Sequence, residues 1–281
     1  MPPVMTLSVN KAKVLIMWLL GGFKLRALVS AALIAVALHS TAFKVQDPQL
    51  QSKVKVLFIG DSIVGGKGDD ISKHGILSRL TSRYQSARFE AISLPGSTSA
   101  GLLAYTRHQL DPYRITELKQ HLQDAHVVVI SAGINDFWAE TGPRRTVANL
   151  RSVAKLISCA AQSSRGTRPH ISIATLIPTT LPAQKNWSDG INKLLVGLPA
   201  GAVGAGPQFH RMNPALLGED GLHPSSEGYD WLAVNTSTIV ESLMNAPLPD
   251  LIDCPAAAFT AHEEEVSGRQ RKMKHRRPAP Q

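Results

Sequence analysis

Four separated stretches of the chain carry residues that could act together on an acyl group. Ser62 lies in Gly60-Asp61-Ser62, Gly96 in Gly96-Ser97-Thr98, Asn135 in Gly133-Ile134-Asn135-Asp136, and a late loop reads Asp220-Gly221-Leu222-His223-Pro224. A serine hydroxyl is a weak nucleophile unless a base takes its proton. The base in turn needs an orienting carboxylate, and the oxyanion that develops needs fixed donors. All three kinds of part are present. Asp220 and His223 are close enough in sequence for the carboxylate to hold the imidazole Nδ1–H while Nε2 faces Ser62. Gly96 permits close approach of its backbone N–H, and Asn135 offers a neutral side-chain amide. Each piece alone has a structural use as a helix cap, a turn glycine or a surface loop. Their joint occurrence is what points to nucleophilic chemistry.

Such residues need a frame that brings them to one place. Lys53 to Ile59 is a short apolar run rich in β-branched residues and stopped by Gly60, the profile of a buried parallel strand. Arg88 to Leu94, His126 to Ala132 and His170 to Ile177 resemble it, and a fifth strand is expected near Pro207 to Met212. Helix-compatible stretches fall at 74–85, 99–122 with a break near Pro112, 143–163 and 226–244. The alternation predicts a doubly wound α/β sheet with right-handed crossovers, in which ligands bind outside the carboxyl ends of the strands. The Ser62, Gly96 and Asn135 stretches each follow a strand directly. Ser62 is expected to open a turn into a helix, with its hydroxyl exposed and its N–H at the helix N-terminus. Gly65-Gly66-Lys67-Gly68 lacks phosphate-loop spacing and reads as a flexible lip, and Thr179 to Gly206 matches no motif.

The four stretches, in this order, resemble the blocks of the SGNH or GDSL hydrolases, and the resemblance spans about residues 53–244. It implies a flavodoxin-like three-layer sandwich with a mostly parallel sheet of about five strands. It also implies Ser62 as nucleophile, His223 as base, Asp220 as its orienter, and an oxyanion hole made by the Ser62 N–H, the Gly96 N–H and the Asn135 amide. Ile63-Val64-Gly65-Gly66 follows the serine where many relatives have Leu-Thr/Ser-x-Gly. The G-x-S-x-G elbow of α/β-hydrolases is absent.

The formal charge is +9, with 30 Lys plus Arg against 21 Asp plus Glu, but it sits at the ends. Residues 1–44 hold Lys11, Lys13, Lys24, Arg26 and Lys44 without an acid, and 261–281 hold six basic residues against three glutamates. The remainder carries 19 basic and 18 acidic residues, so no nucleic-acid partner is expected. Lys24 and Arg26 interrupt the apolar stretch 14–38, which argues against one clean membrane span. Residues 1–42 read instead as a signal peptide, with an h-region at Ala27 to Leu38 and a small-x-small site at Ser40-Thr41-Ala42, or as an uncleaved signal anchor. Residues 43–52 would then be a linker, 53–245 the hydrolase domain, and 246–281 an extension ending in a disordered basic tail. That tail could make weak contact with an anionic surface. An exported chain, periplasmic or secreted, would allow Cys159 and Cys254 to pair.

The expected function is a serine esterase acting on small-molecule or polymer-borne esters as a monomer. An O-acyltransferase on the same site and a non-catalytic cell-wall or glycan-binding module are the alternatives. Phe137 and Trp138, which follow the Asn135 stretch, could line an acyl or leaving-group pocket or pack under the helix at Pro143. The remaining histidines show no ligand spacing, so no metal and no cofactor is assigned.

Overall fold

The computed structural model describes residues 54–70, 74–110, 116–198 and 203–254. The stretches expected to hold a leader with its cleavage site and a linker, and the basic stretch at 261–281, lie outside the described residues. Five strands, β1 (Val54–Gly60), β2 (Ala87–Ser93), β3 (Ala125–Ser131), β4 (His170–Ile173) and β5 (Val203–Ala205), form one sheet in the order β2-β1-β3-β4-β5. Every pairing is parallel. Among the described residues six helices connect or follow them: α1 (Gly75–Arg83), α2 (Ser99–Gln109), α3 (Glu117–Leu122), α4 (Pro143–Arg165), α5 (Pro182–Val196) and α6 (Ser226–Met244).

Side chains alternate across the central strands and so feed two cores. Leu57, Ile59, Val128 and Ile130 join Leu102, Leu118, Leu150, Ile157 and Ile191 on one face. Val56, Phe58, Val127 and Val129 join Ile76, Leu80, Tyr229 and Leu232 on the other. Helices on both faces of one parallel sheet make three layers, as the apolar, β-branched strands require. The helix ends have local causes. Thr98 caps α2 by accepting the Gly101 N–H at 3.0 Å, and Ser225 caps α6 by accepting the Gly228 N–H at 3.2 Å. Pro143 stands at the start of α4, and Gly166 closes it in the left-handed region at φ 69°.

Strand order reverses between β1 and β3, and that switch point is where a crevice opens at the carboxyl edge. Registration brings the strand ends level there: Gly60 is paired with Ser93 on one side and with Ser131 on the other. The segments after β1, β2 and β3 therefore leave the sheet side by side.

Two sequence expectations are corrected, and two stretches that the sequence left without elements take a definite form. The fifth strand is Val203–Ala205, before the expected Pro207 to Met212, where Phe209–Arg211 forms a 3-10 turn instead. Thr179 to Gly206, which matched no motif, contains α5, anchored by buried Ile191 and Leu195. Ser62 does not open a helix, because α1 begins only at Gly75, and its residue is 5% exposed rather than open to solvent. The glycine-rich lip is a hydrogen-bonded turn, with Gly65 N–H donating to Asp61 O at 3.3 Å, Gly66 N–H to Ile63 O at 3.2 Å and Lys67 N–H to Ser62 O at 3.0 Å.

Cys159 and Cys254 are joined as a disulfide, with Cα atoms 5.5 Å apart. Beside it the Gln162 side chain donates to Ile252 O at 2.8 Å and accepts from Ile252 N–H at 3.0 Å, so the segment after α6 is held against α4.

Candidate active site

Ser62, His223 and Asp220 form one hydrogen-bonded chain. Ser62 Oγ lies 2.9 Å from His223 Nε2, across 161 residues of sequence. His223 Nδ1 lies 2.6 Å from Asp220 Oδ2. Asp220 Oδ1 also accepts the backbone N–H groups of His223 at 2.8 Å and Leu222 at 3.0 Å, so the carboxylate and the ring are fixed in one local turn. Burial pushes the Asp220 carboxyl up, but the His223 N–H, the His223 ring and the Leu222 N–H outweigh it and hold the group at about 2. Ser62 and His223 are each 5% exposed, whereas the Asp220 side chain is 51% exposed.

The loop that presents His223 is braced from two sides. Leu217 and Pro224 form an antiparallel bridge, Gly218 N–H donates to His223 O at 2.7 Å, and Ser225 N–H donates to Leu216 O at 2.8 Å. From the segment before α5, the Thr180 N–H and the Thr179 hydroxyl reach Gly221 O at 3.3 and 3.5 Å. The serine turn is braced by α6. The buried Tyr229 hydroxyl donates to Lys67 O at 2.8 Å and to Ile63 O at 3.3 Å. Asp69 accepts from Gly75 N–H and Arg79, and Arg79 donates in turn to Ser226 O, which ties the end of the serine turn to the start of α6.

Gly96 and Asn135 leave β2 and β3 beside Ser62. Gly96 has φ +77°, and a Cβ there would meet nothing within 4 Å, so the glycine serves the backbone conformation rather than close packing. The Asn135 amide donates one N–H to Ser97 O at 3.1 Å, which links the two loops and leaves its second N–H for another acceptor. Among the described residues, no hydrogen bond within the protein takes the Ser62 or the Gly96 backbone N–H. The arrangement joins a base-paired hydroxyl to neighbouring unpaired donors. That combination can accept an acyl group and stabilise the charge formed at its oxygen.

Phe137 packs edge-on against Trp138 and Trp187, at centroid distances of 4.9 and 5.8 Å, and Trp138 stays 60% exposed. A groove of about 820 Å³ lined by Pro143, Arg144, Arg145, Lys193 and Leu194 lies between α4 and α5, with neither Ser62 nor His223 among its lining residues. Among the described residues, no group of three or more His, Cys, Asp or Glu is placed to hold a metal ion. Sequence reading passed over Tyr229, Asp136 and Ser99. Asp136 sat in plain view beside Asn135, but nothing in spacing alone connects Ser99 or Tyr229 to the site.

The fold is similar to that of a member of the lipolytic protein G-D-S-L family from Veillonella parvula, at 14% identity and a TM-score of 0.54, over 67% of this chain and 98% of that one. It is also similar to the lipase Lip_vut3 from a goat rumen metagenome, at 17% identity and a TM-score of 0.50, over 66% of this chain and 97% of that one. At such identities the likeness is one of fold. No curated protein matches the chain in sequence. Residues 58–231, more than half of the chain, match the model of the GDSL-like lipase/acylhydrolase family, and that stretch runs from β1 through Ser62, Asn135 and His223 into α6. The chain belongs to the GDSL-like lipase/acylhydrolase family.

Proposed function

We propose that the protein is a serine esterase that hydrolyses carboxylic esters, acyl or acetyl, through an acyl-enzyme on Ser62. The observation that carries this reading is the unbroken chain from Ser62 Oγ through His223 to Asp220. Ser62 Oγ attacks the ester carbonyl carbon as its proton passes to His223 Nε2. The resulting oxyanion takes hydrogen bonds from the Ser62 N–H, the Gly96 N–H and the Asn135 amide. Collapse breaks the bond to the alcohol oxygen, which leaves with the proton from Nε2. Water then gives a proton to Nε2, attacks the acyl carbonyl and releases the acid, and Ser62 recovers its proton. Asp220 keeps one ring tautomer and stabilises the imidazolium formed on the way. The exposed Trp138 borders the Asn135 loop, where it can contact the acyl or alcohol portion of an ester. We read the protein as exported, a reading supported by the disulfide between Cys159 and Cys254, which suits an oxidising compartment.

Hydrolysis of p-nitrophenyl acetate and butyrate by the protein and by Ser62→Ala tests this reading. Turnover that falls by about 10³-fold or more in the variant supports it; equal rates in the two proteins remove it.

A further inference from the structure

Asp136 is fully buried and bonds across to a different loop. Its Oδ2 accepts the Ser99 N–H at 2.6 Å, and its Oδ1 accepts the hydroxyls of Ser99 at 2.6 Å and Thr146 at 3.1 Å. The Asn149 side chain donates to Ser99 Oγ at 3.0 Å, completing the cluster, in which Ser99 and Thr146 are themselves fully buried. Among the described residues no basic side chain forms an ion pair with Asp136. A buried carboxylate without a cation is costly, and here hydroxyl and N–H donors take the place of one.

The cluster joins the two loops that carry Gly96 and Asn135. Ser99 begins α2 just after Gly96, and Asp136 directly follows Asn135. The Asn135 amide makes a second bridge to the same loop through Ser97 O. A donor helps an oxyanion only within about 2.7 to 3.1 Å of the charge, so a relative slide of the two loops by even 1 Å would take one donor out of range. Ser99 is held by two bonds from one carboxylate, which resists both translation and rotation of the start of α2.

We propose that Asp136 is a positioning residue: by holding Ser99 it fixes the Gly96 N–H and the Asn135 amide at the spacing that a single oxyanion requires. This inference rests on the esterase reading of Ser62. It assigns Asp136 no contact with substrate.

The test is a double-mutant cycle on p-nitrophenyl acetate with Asp136→Asn, Asn135→Ala and the combined variant. Asp136→Asn should lower kcat by about 30-fold or more with KM moved by less than about threefold, and the same change on the Asn135→Ala background should cost about a third of that kcat loss or less, because only the Gly96 N–H is left to misplace. A purely structural role predicts losses that multiply, and multiplied losses or an unchanged kcat in Asp136→Asn overturn the proposal. Should Asp136→Asn not fold, Ser99→Ala, which keeps the N–H and loses the hydroxyl, takes its place in the cycle with the same two outcomes. Hydrogen exchange at the Ser97 and Ser99 amides, which donate to Leu94 O and to Asp136, separates this inference from the esterase reading. Exchange about tenfold faster in the folded variant supports positioning whatever the protein does to esters, and unchanged exchange overturns it.

Discussion

The Tyr229 hydroxyl donates to the Lys67 carbonyl oxygen at 2.8 Å, so the helix that follows His223 grips the turn that follows Ser62. That bond, with the weaker one to Ile63 O, spans more than 160 residues of chain and sets how far the hydroxyl of Ser62 can stand from the imidazole. Tyr229→Phe keeps the ring in its core and removes only the donor. It should destabilise the protein by about 0.5 to 1.5 kcal/mol, the net worth of the lost hydrogen bond, since Ile63 O keeps the Gly66 N–H, and it should lower kcat more than it raises KM. Urea unfolding and p-nitrophenyl acetate kinetics on the same preparation check both parts.

Gly68 stands where the serine turn meets the histidine loop. It has φ +93°, and a Cβ there would lie 2.7 Å from Pro224 O and 2.9 Å from His223 Cβ. Gly68→Ala must therefore push the histidine loop away or strain its own backbone. The expected result is a loss of at least about tenfold in kcat/KM with a smaller fall in thermal midpoint than a core truncation gives. Gly96→Ala makes the contrast, since it has a similarly positive φ but open space at its Cβ, so a loss there comes from the strained backbone and the oxyanion donor it carries rather than from a clash with the histidine loop.

Asp61 gives the fold a pH dependence opposite to that of an ordinary carboxylate. Burial, with the nearby Asp136 carboxylate adding to it, raises the Asp61 carboxyl from 3.8 to about 7 against the N–H groups of Ile63 and Gly133. Between those values the unfolded chain has released the proton and the folded chain still holds it. Stability is therefore lost as pH rises through this window, by an amount on the order of a few kcal/mol, and levels off above about pH 7. Urea midpoints for the protein and for Asp61→Asn between pH 4 and 7.5 measure it. The slope across that window should flatten in the variant, and parallel curves would contradict the assignment.

Reduction of Cys159 and Cys254 should weaken the fold and spare the site. The bridge closes a loop of sequence separation 95, and its loss should cost about 2 to 5 kcal/mol. Cys159 lies about 24 Å along α4 from Pro143, toward the edge of the sheet opposite Ser62. Cys159→Ser with Cys254→Ser should lower the thermal midpoint while ester hydrolysis at 25 °C stays within about twofold of the parent.

Strands β1, β3 and β4 were legible because each is an apolar run closed by a glycine, a proline or a turn, and burial on both faces leaves no other use for such a run; β2, an edge strand that carries Arg88 and Glu90, was marked mainly by the Pro95-Gly96 stop after it. Asp220 and His223 were legible because their contact is local, three residues within one turn. Harder to read were features that depend on distant partners. Ser62 is buried because the turn behind it is drawn onto α6 by Tyr229 and Arg79, contacts that no spacing within 60–68 encodes. Helix α5 was obscured by Pro178, Pro182 and Gly190, and its amphipathic stripe shows only as buried Ser188, Ile191 and Leu195 once the fold is known. The three residues of β5 are too few to outweigh the glycines around them.

The most direct test of the account is covalent. Native protein treated with a fluorophosphonate and mapped by peptide mass spectrometry should carry one phosphonyl adduct on Ser62, formed at least about 10²-fold more slowly in His223→Ala. An adduct on another residue, no adduct at all, or equal labelling rates with and without the imidazole would contradict it.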